Sequence, residues 1–249
     1  MQFVSRMYQK GLGLPELLIA LLLSSFIMTG LMHHYLSTKK QYSVIQKKLE
    51  RNIDLQLVTD LIRNSVRKAG FTPCLGINHL VTQDQRSEPK RLVAVEIGSE
   101  WLRINRMSED FSTVIQVASP MQLFAQAHSL HPDQFVLIAD CYHAEVQKIS
   151  QVTHVDAGQK ITLNKPLAFT YHEPIYIGEW LEEIYSIGLG QNGKRGLFYQ
   201  CYKHAEELTT AVHNLSAYLT DYQGCSLLKI ILGVNKADSL KLETMIRAC

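Results

Sequence analysis

KGLGLPELLIALLLSSFIMTGLMHHYL, residues 10–36, is one apolar run that carries a single acid, Glu16, close to its start. From Leu12 to Leu36 it is long enough, at about 1.5 Å rise per residue, to cross a hydrocarbon core of about 30 Å. A carboxylate inside hydrocarbon costs about 2.5–3.5 kcal/mol on insertion scales, so Glu16 is a candidate functional residue in need of a partner charge. Beyond Tyr35 the apolar surface narrows to a stripe at Tyr42, Ile45, Leu49, Ile53, Leu57 and Leu61, widened later by Val58, Ile62 and Val66. Spacings of three and four residues are helical. No Pro or Gly interrupts residues 31–69, and basic Arg67 and Lys68 precede the stop signals Gly70 and Pro73. The reading is one helix from about Pro15 to Ala69, about 80 Å long. Residues 12–36 form its membrane half, and residues 37–70 offer their stripe to a domain packed against it.

From Arg91 onward the period changes. LVAVEI, WLRINRM, STVIQVA, QFVLIADC, AEVQKIS, KITL and PIYIGEWLEEIYSI are short alternating runs separated by Gly, Pro, Asn and Asp. RGLFYQCYK, the stretch from Val212 to Tyr218, SLLKIILGV and LKLETMI complete a mainly antiparallel sheet. The fold class is α+β, with residues 71–249 forming a β-rich head on the amphipathic half-helix. Residues 75–90 read as a polar loop, and residues 205–215 as a possible short helix.

A chain of 249 residues, 46% hydrophobic and 19% charged, holds an anchor and one domain of ordinary size. The net charge of +2, without a Lys/Arg block interleaved with aromatics, gives no nucleic-acid footprint. Orientation is undecided by positive charge, because Arg6 and Lys10 on one side face Lys39, Lys40, Lys47 and Lys48 on the other. The five cysteines, Cys74, Cys141, Cys201, Cys225 and Cys249, have no C-x-x-C spacing. That pattern disfavours zinc and suits disulfides outside the cytosol, which puts the head outside and leaves at least one cysteine over.

Residues that could carry other chemistry are few. Gly188-Leu189-Gly190-Gln191-Asn192-Gly193 matches G-x-G-x-x-G, but a strand follows it where a dinucleotide site needs a helix, so it reads as a hairpin turn. His128 and His131 sit beside Pro132 in a surface-turn composition rather than a metal-ligating helix. Glu182 and Glu183 are neighbours on a strand and point to opposite faces, so they make no acid–base pair. Asn214-Leu215-Ser216 is a sequon without a eukaryotic secretory context. No catalytic residue, metal or cofactor is expected.

Lys10-Gly11-Leu12-Gly13-Leu14-Pro15-Glu16-Leu17-Leu18 resembles the class III signal of type IV prepilins, K-G-F-[ST]-L-x-E-L-L. The resemblance implies a leader of residues 1–11, cleavage between Gly11 and Leu12 by a prepilin peptidase, and methylation of Leu12. Glu16 then stands four residues beyond the new amine and neutralises that of a neighbouring subunit. Leu12 replaces the usual Phe and Gly13 the usual Ser or Thr, and Gly13 is a rival cleavage position. IRNSVRKAGFTPC, FVLIADC, GLFYQCYK and LTTAVHNLSAYLTD, in that order, resemble stretches of PilW-type minor pilins. Leu219-Thr220 stands where that family has a Gly before Asp221.

Cys74 and Cys141 occupy the two positions where the family has cysteines, which implies a bridge between helix end and sheet; two buried thiols are the alternative. A loop of about 67 residues would make that bridge worth about 4 kcal/mol in the chain-entropy model. Cys225–Cys249 and Cys201–Cys225 both stay open for the rest. The implied function is that of a minor prepilin priming or capping a type IV pilus, for twitching, adhesion or DNA uptake. It is a substrate of the peptidase and not an enzyme. The implied partners are other minor pilins, the major pilin and the inner-membrane assembly platform. The implied location is the inner membrane with the head in the periplasm, then the pilus. A minor pseudopilin of type II secretion, and an uncleaved membrane-anchored periplasmic binding protein or enzyme, are the alternatives.

Overall fold

The computed structural model describes residues 13–126, 130–155, 158–190, 192–222, 225–234 and 238–246. Its helix, α1, spans Leu14–Arg67 and agrees with the expected helix to within two residues at each end. Gly13 caps it: the Gly13 carbonyl accepts the N–H groups of Glu16 (3.0 Å) and Leu17 (3.3 Å), and the Gly13 N–H donates to Glu16 Oε2 at 3.1 Å. Glu16 thus supplies the acid half of a capping box, while glycine offers no cap side chain, and Pro15 stands in the turn that has no N–H partner to lose. At the other end Gly70 turns the chain at φ +68°, and its N–H reaches Asn105 O at 2.8 Å. A Cβ there would lie 2.6 Å from the Ala94 Cβ, so the position needs glycine on two counts.

The chain divides into two units, residues 1–53 and 54–249. In the first, the helix is exposed from Leu14 to Glu50, and α1 is the one helix among the described residues long and apolar enough to cross a bilayer. In the second, the last turns of α1 pack on a mainly antiparallel β-structure. Its strands are β1 (Val81–Asp84), β2 (Val95–Gly98), β3 (Trp101–Ser119), β4 (Gln122–Ala125), β5 (Phe135–Ala139), β6 (His143–Val155), β7 (Gly158–Leu163), β8 (Tyr176–Leu189), β9 (Arg195–Gln200), β10 (Ala205–Thr209), β11 (Asn214–Tyr222), β12 (Cys225–Gly233) and β13 (Ser239–Met245).

Antiparallel pairings run β8–β5–β6–β7–β4–β3 and back to β8, closing six strands into a ring. β9 and β10 extend from β8, β2 from β3, and β1 lies parallel on β6. Side-chain alternation sorts two cores. Val136 and Ile138 join a cluster drawn from all six ring strands, including Val114, Leu123, Ile149, Ile161 and Ile177. Leu137 and Ala139, on the other face of β5, join the cluster that receives Val58, Ile62 and Val66 of the helix and Leu228 and Ile230 of β12.

Several expectations change. β1 and a 3-10 turn at Ile77–His79 occupy the predicted polar loop, and residues 205–209 are strand, not helix. WLRINRM and STVIQVA are halves of one 19-residue strand, β3, because Asp110 and neighbouring polar residues continue its extended backbone. β11, β12 and β13 form a separate three-stranded sheet rather than completing the large one. The stripe is also corrected: Tyr42, Ile45, Leu49, Ile53 and Leu57 are exposed at 47–68%, whereas Val58, Ile62 and Val66 are buried. At 3.6 residues per turn, Ile45, Leu49 and Ile53 fall on the side of the helix opposite Val58 and Ile62, so one apolar face meets the sheet and another stays uncovered.

Candidate functional site

The uncovered helix is the part of the molecule whose chemistry is unfinished. Around Glu16 the side chains of Leu14, Leu17 and Leu18 are 79%, 55% and 59% exposed. Among the described residues the carboxylate meets one donor, the Gly13 N–H, and keeps acceptor capacity for a cation. The hydroxyls of the same segment are settled internally: Ser24, Ser25 and Thr29 donate to the carbonyls of Leu21, Leu22 and Ser25 at 2.9, 2.8 and 2.7 Å. A helix that satisfies Ser24, Ser25 and Thr29 internally and leaves a carboxylate with a single donor among the described residues is suited to an apolar medium in which a positive group arrives. Gly11 and Leu12, the expected scissile pair and methylation site, lie outside the described residues.

Cys74 and Cys141 are joined by a disulfide with Cα atoms 5.2 Å apart, tying the segment after α1 to the β5–β6 turn. Cys201 is a free thiol, so the Cys201–Cys225 alternative is not formed. Burial pushes the Cys201 thiol up, with the nearby Glu183 adding to it, which disfavours a reactive thiolate. Cys249 and the side chain of Cys225 lie outside the described residues.

Beside the disulfide stands a buried polar group that sequence reasoning did not single out. Asp140, fully buried, accepts the N–H groups of Tyr142 (2.7 Å), His143 (2.6 Å) and His172 (2.8 Å). Burial alone would raise its pKa, but these donors outweigh it and hold the carboxyl below the usual carboxylate range. Glu145, also fully buried, is pushed up by burial despite donors from Ala168 N–H (2.7 Å), Gln85 (2.9 Å) and Gln147 (2.8 Å). The local signal for Asp140 was its position two residues before Tyr142 in a tight turn; nothing local marks Glu145.

The remaining candidates are structural. Arg86 bonds Asp84 at 2.9 Å and Glu182 at 2.5 Å, while Glu183 turns to Arg106 at 2.7 Å, so the two adjacent glutamates do face apart. A cleft of about 370 Å³ beside Arg86, Phe135 and Tyr202 therefore has its guanidinium already committed to two carboxylates. The glycine run joins β8 to β9 as a turn, with Gly190 N–H donating to Lys194 O at 2.8 Å and Gly193 at φ +67°. His131 is exposed and its N–H bonds Gln134; His128 lies outside the described residues. Among the described residues no cluster of His, Cys, Asp and Glu could hold a metal ion. In comparisons with protein-family models, curated proteins and solved structures, nothing matches this chain.

Proposed function

We propose that this chain is a minor prepilin of a type IV pilus, similar to PilW. The observation that carries the reading is a helix whose apolar surface is uncovered from Leu14 past bilayer length to Ile53, with one acid, Glu16, in its first turn that takes a single donor among the described residues. In the precursor, α1 anchors the chain in the inner membrane with the head in the periplasm. Cleavage between Gly11 and Leu12 creates an ammonium at membrane depth, and the peptidase methylates it on Leu12. Glu16 then meets the ammonium of a neighbouring subunit, each charge relieving the other's desolvation. In low dielectric such a pair is strong, yet the cost of burying both charges means that it enforces register more than it adds stability.

The uncovered stripe at Tyr42, Ile45, Leu49 and Ile53 supports the same reading, since apolar side chains at helical spacing suit the helices of other minor pilins and of the major pilin. The head carries disulfide-stapled β-structure and performs no catalysis. The chain's role is to prime or cap the filament with the assembly platform. Mass measurement of the mature N-terminus, in strains with and without the prepilin peptidase, tests this. A methylated Leu12 that depends on the peptidase is the expected result. A native chain that still begins at Met1 would leave a membrane-anchored periplasmic protein in its place.

A further inference from the structure

We propose that the open edge of β2 takes up an extended, acidic segment of a partner polypeptide as an added strand. The inference stands apart from the filament reading, because it concerns the head alone. β2 pairs with β3 and, among the described residues, with no other strand. Two other sheet ends carry charges of the kind that guard an edge: Glu206 and Glu207 on β10, Lys241 and Glu243 on β13. The one charge of β2, Glu96, is drawn back toward β3 by Arg103 (2.8 Å) and Asn105 (3.2 Å). Nothing on β2 itself therefore repels an incoming strand.

Backbone register states which groups are on offer. Asn105 N–H donates to Ala94 O at 2.9 Å, and Gly98 faces Trp101 across the turn into β3. Alternation then directs the backbone groups of Glu96 and Gly98 to β3 and those of Val95 and Ile97 to the open edge. Against that edge lies a cleft of about 780 Å³. Leu80, Ile97 and Leu219 give it apolar surface, Trp101 forms a wall, and Lys90 and Arg91 stand on it exposed; the Lys90 charge also acts on Glu182, a carboxylate already bonded to Arg86. Glu96 is already neutralised by Arg103, so the cleft is left positive. Backbone groups at strand spacing, apolar surface for alternate side chains and two exposed cations match an extended segment that alternates acidic and β-branched residues. Charge complementarity selects the acid, and the strand edge selects a polypeptide.

The test uses the full chain in detergent micelles and a fluorescent peptide, Asp-Val-Glu-Val-Asp-Val. A companion with proline at alternate positions lacks the N–H groups that an added strand needs. The expected result is saturable binding of the first peptide, binding weakened about tenfold or more by K90E/R91E, and slowed amide exchange at Val95 and Ile97. Ile97→Pro removes an outward N–H and leaves the β3 ladder in place, so it too should abolish binding while the head stays folded. Equal binding of the proline peptide, or unchanged exchange at Val95 and Ile97, overturns the proposal. So does preferential binding of heparin or single-stranded DNA through Lys90 and Arg91, or self-association that K90E/R91E abolishes, which would put a polyanion or a second copy there.

Discussion

The hydroxyls of Ser65 and Tyr185 stand 2.8 Å apart in the buried interface between the end of α1 and β8, although 120 residues separate them in sequence. Tyr185 is fully buried, and its ring lies 5.2 Å from that of Tyr199. Removing one hydroxyl leaves the other buried without a partner, so Ser65→Ala and Tyr185→Phe should each cost about 1–3 kcal/mol. The double variant should cost clearly less than the sum, because both single changes break one bond. Urea unfolding of the four proteins, followed by the circular dichroism of the sheet, gives the coupling; strict additivity would mean the contact contributes nothing of its own.

The Cys74–Cys141 bridge closes a 67-residue separation that begins just past the helix and ends at the β5–β6 turn. Chain entropy puts its contribution at about 4 kcal/mol. The Cys74→Ala/Cys141→Ala variant should therefore unfold at markedly lower urea than the oxidised chain, and reductant should shift the parent by more than it shifts the variant. A parent indifferent to reductant would show that the helix end is held by packing alone.

Asp140 and Glu145 should respond to acid in opposite senses. The folded state holds Asp140 below its unfolded pKa, so its contribution is present above about pH 4 and is lost as pH falls through the folded value. The folded state holds Glu145 above its unfolded pKa, so its contribution is fully present below about pH 4 and is lost as pH rises through the folded value. Glu145→Gln should thus be tolerated at pH 7. The new amide can donate to Gln147 Oε1, a buried acceptor without a partner, once the Gln147 amide turns over. Asp140→Asn replaces an acceptor oxygen by a donor facing backbone N–H groups and should cost about 2 kcal/mol or more. Unfolding midpoints at pH 4 and pH 7 distinguish the two, and a Glu145→Gln variant that loses more than Asp140→Asn at pH 7 would refute the assignment.

The helix was legible in the sequence because its signals are local: Pro15 in the first turn, an unbroken 3.6-residue period, and Gly70 at the stop. The hairpin at Gly188–Gly193 was legible for the same reason. Which helix face meets the sheet was not legible, because Tyr42, Ile45, Leu49 and Ile53 make as good a stripe as Val58, Ile62 and Val66, and only the partner surface chooses between them. Closure of the ring was hidden too. It depends on β8 pairing with β5 and β3 at once, and on β3 running unbroken through Asp110, where polarity suggested a boundary. Glu145 gained its character from Gln85, Gln147 and Ala168, two of them distant in sequence.

The two faces of α1 give the last prediction. Leu49 and Ile53 are 58% and 47% exposed, so Leu49→Lys and Ile53→Lys should leave the unfolding of the head within about 0.5 kcal/mol of the parent. Ile62 is fully buried against the sheet, so Ile62→Lys places an unpaired charge in the core and should cost about 3–5 kcal/mol. If the uncovered face receives partner helices, the first two changes should remove the protein from sheared filaments while its level in the membrane stays normal. The third should lower that level first, since the misfolded head is degraded. Immunoblots of membrane and filament fractions, read beside the urea midpoints, separate the cases. Leu49→Lys protein that enters filaments as the parent does would leave the exposed stripe without an assembly role, whatever happens at Ile62.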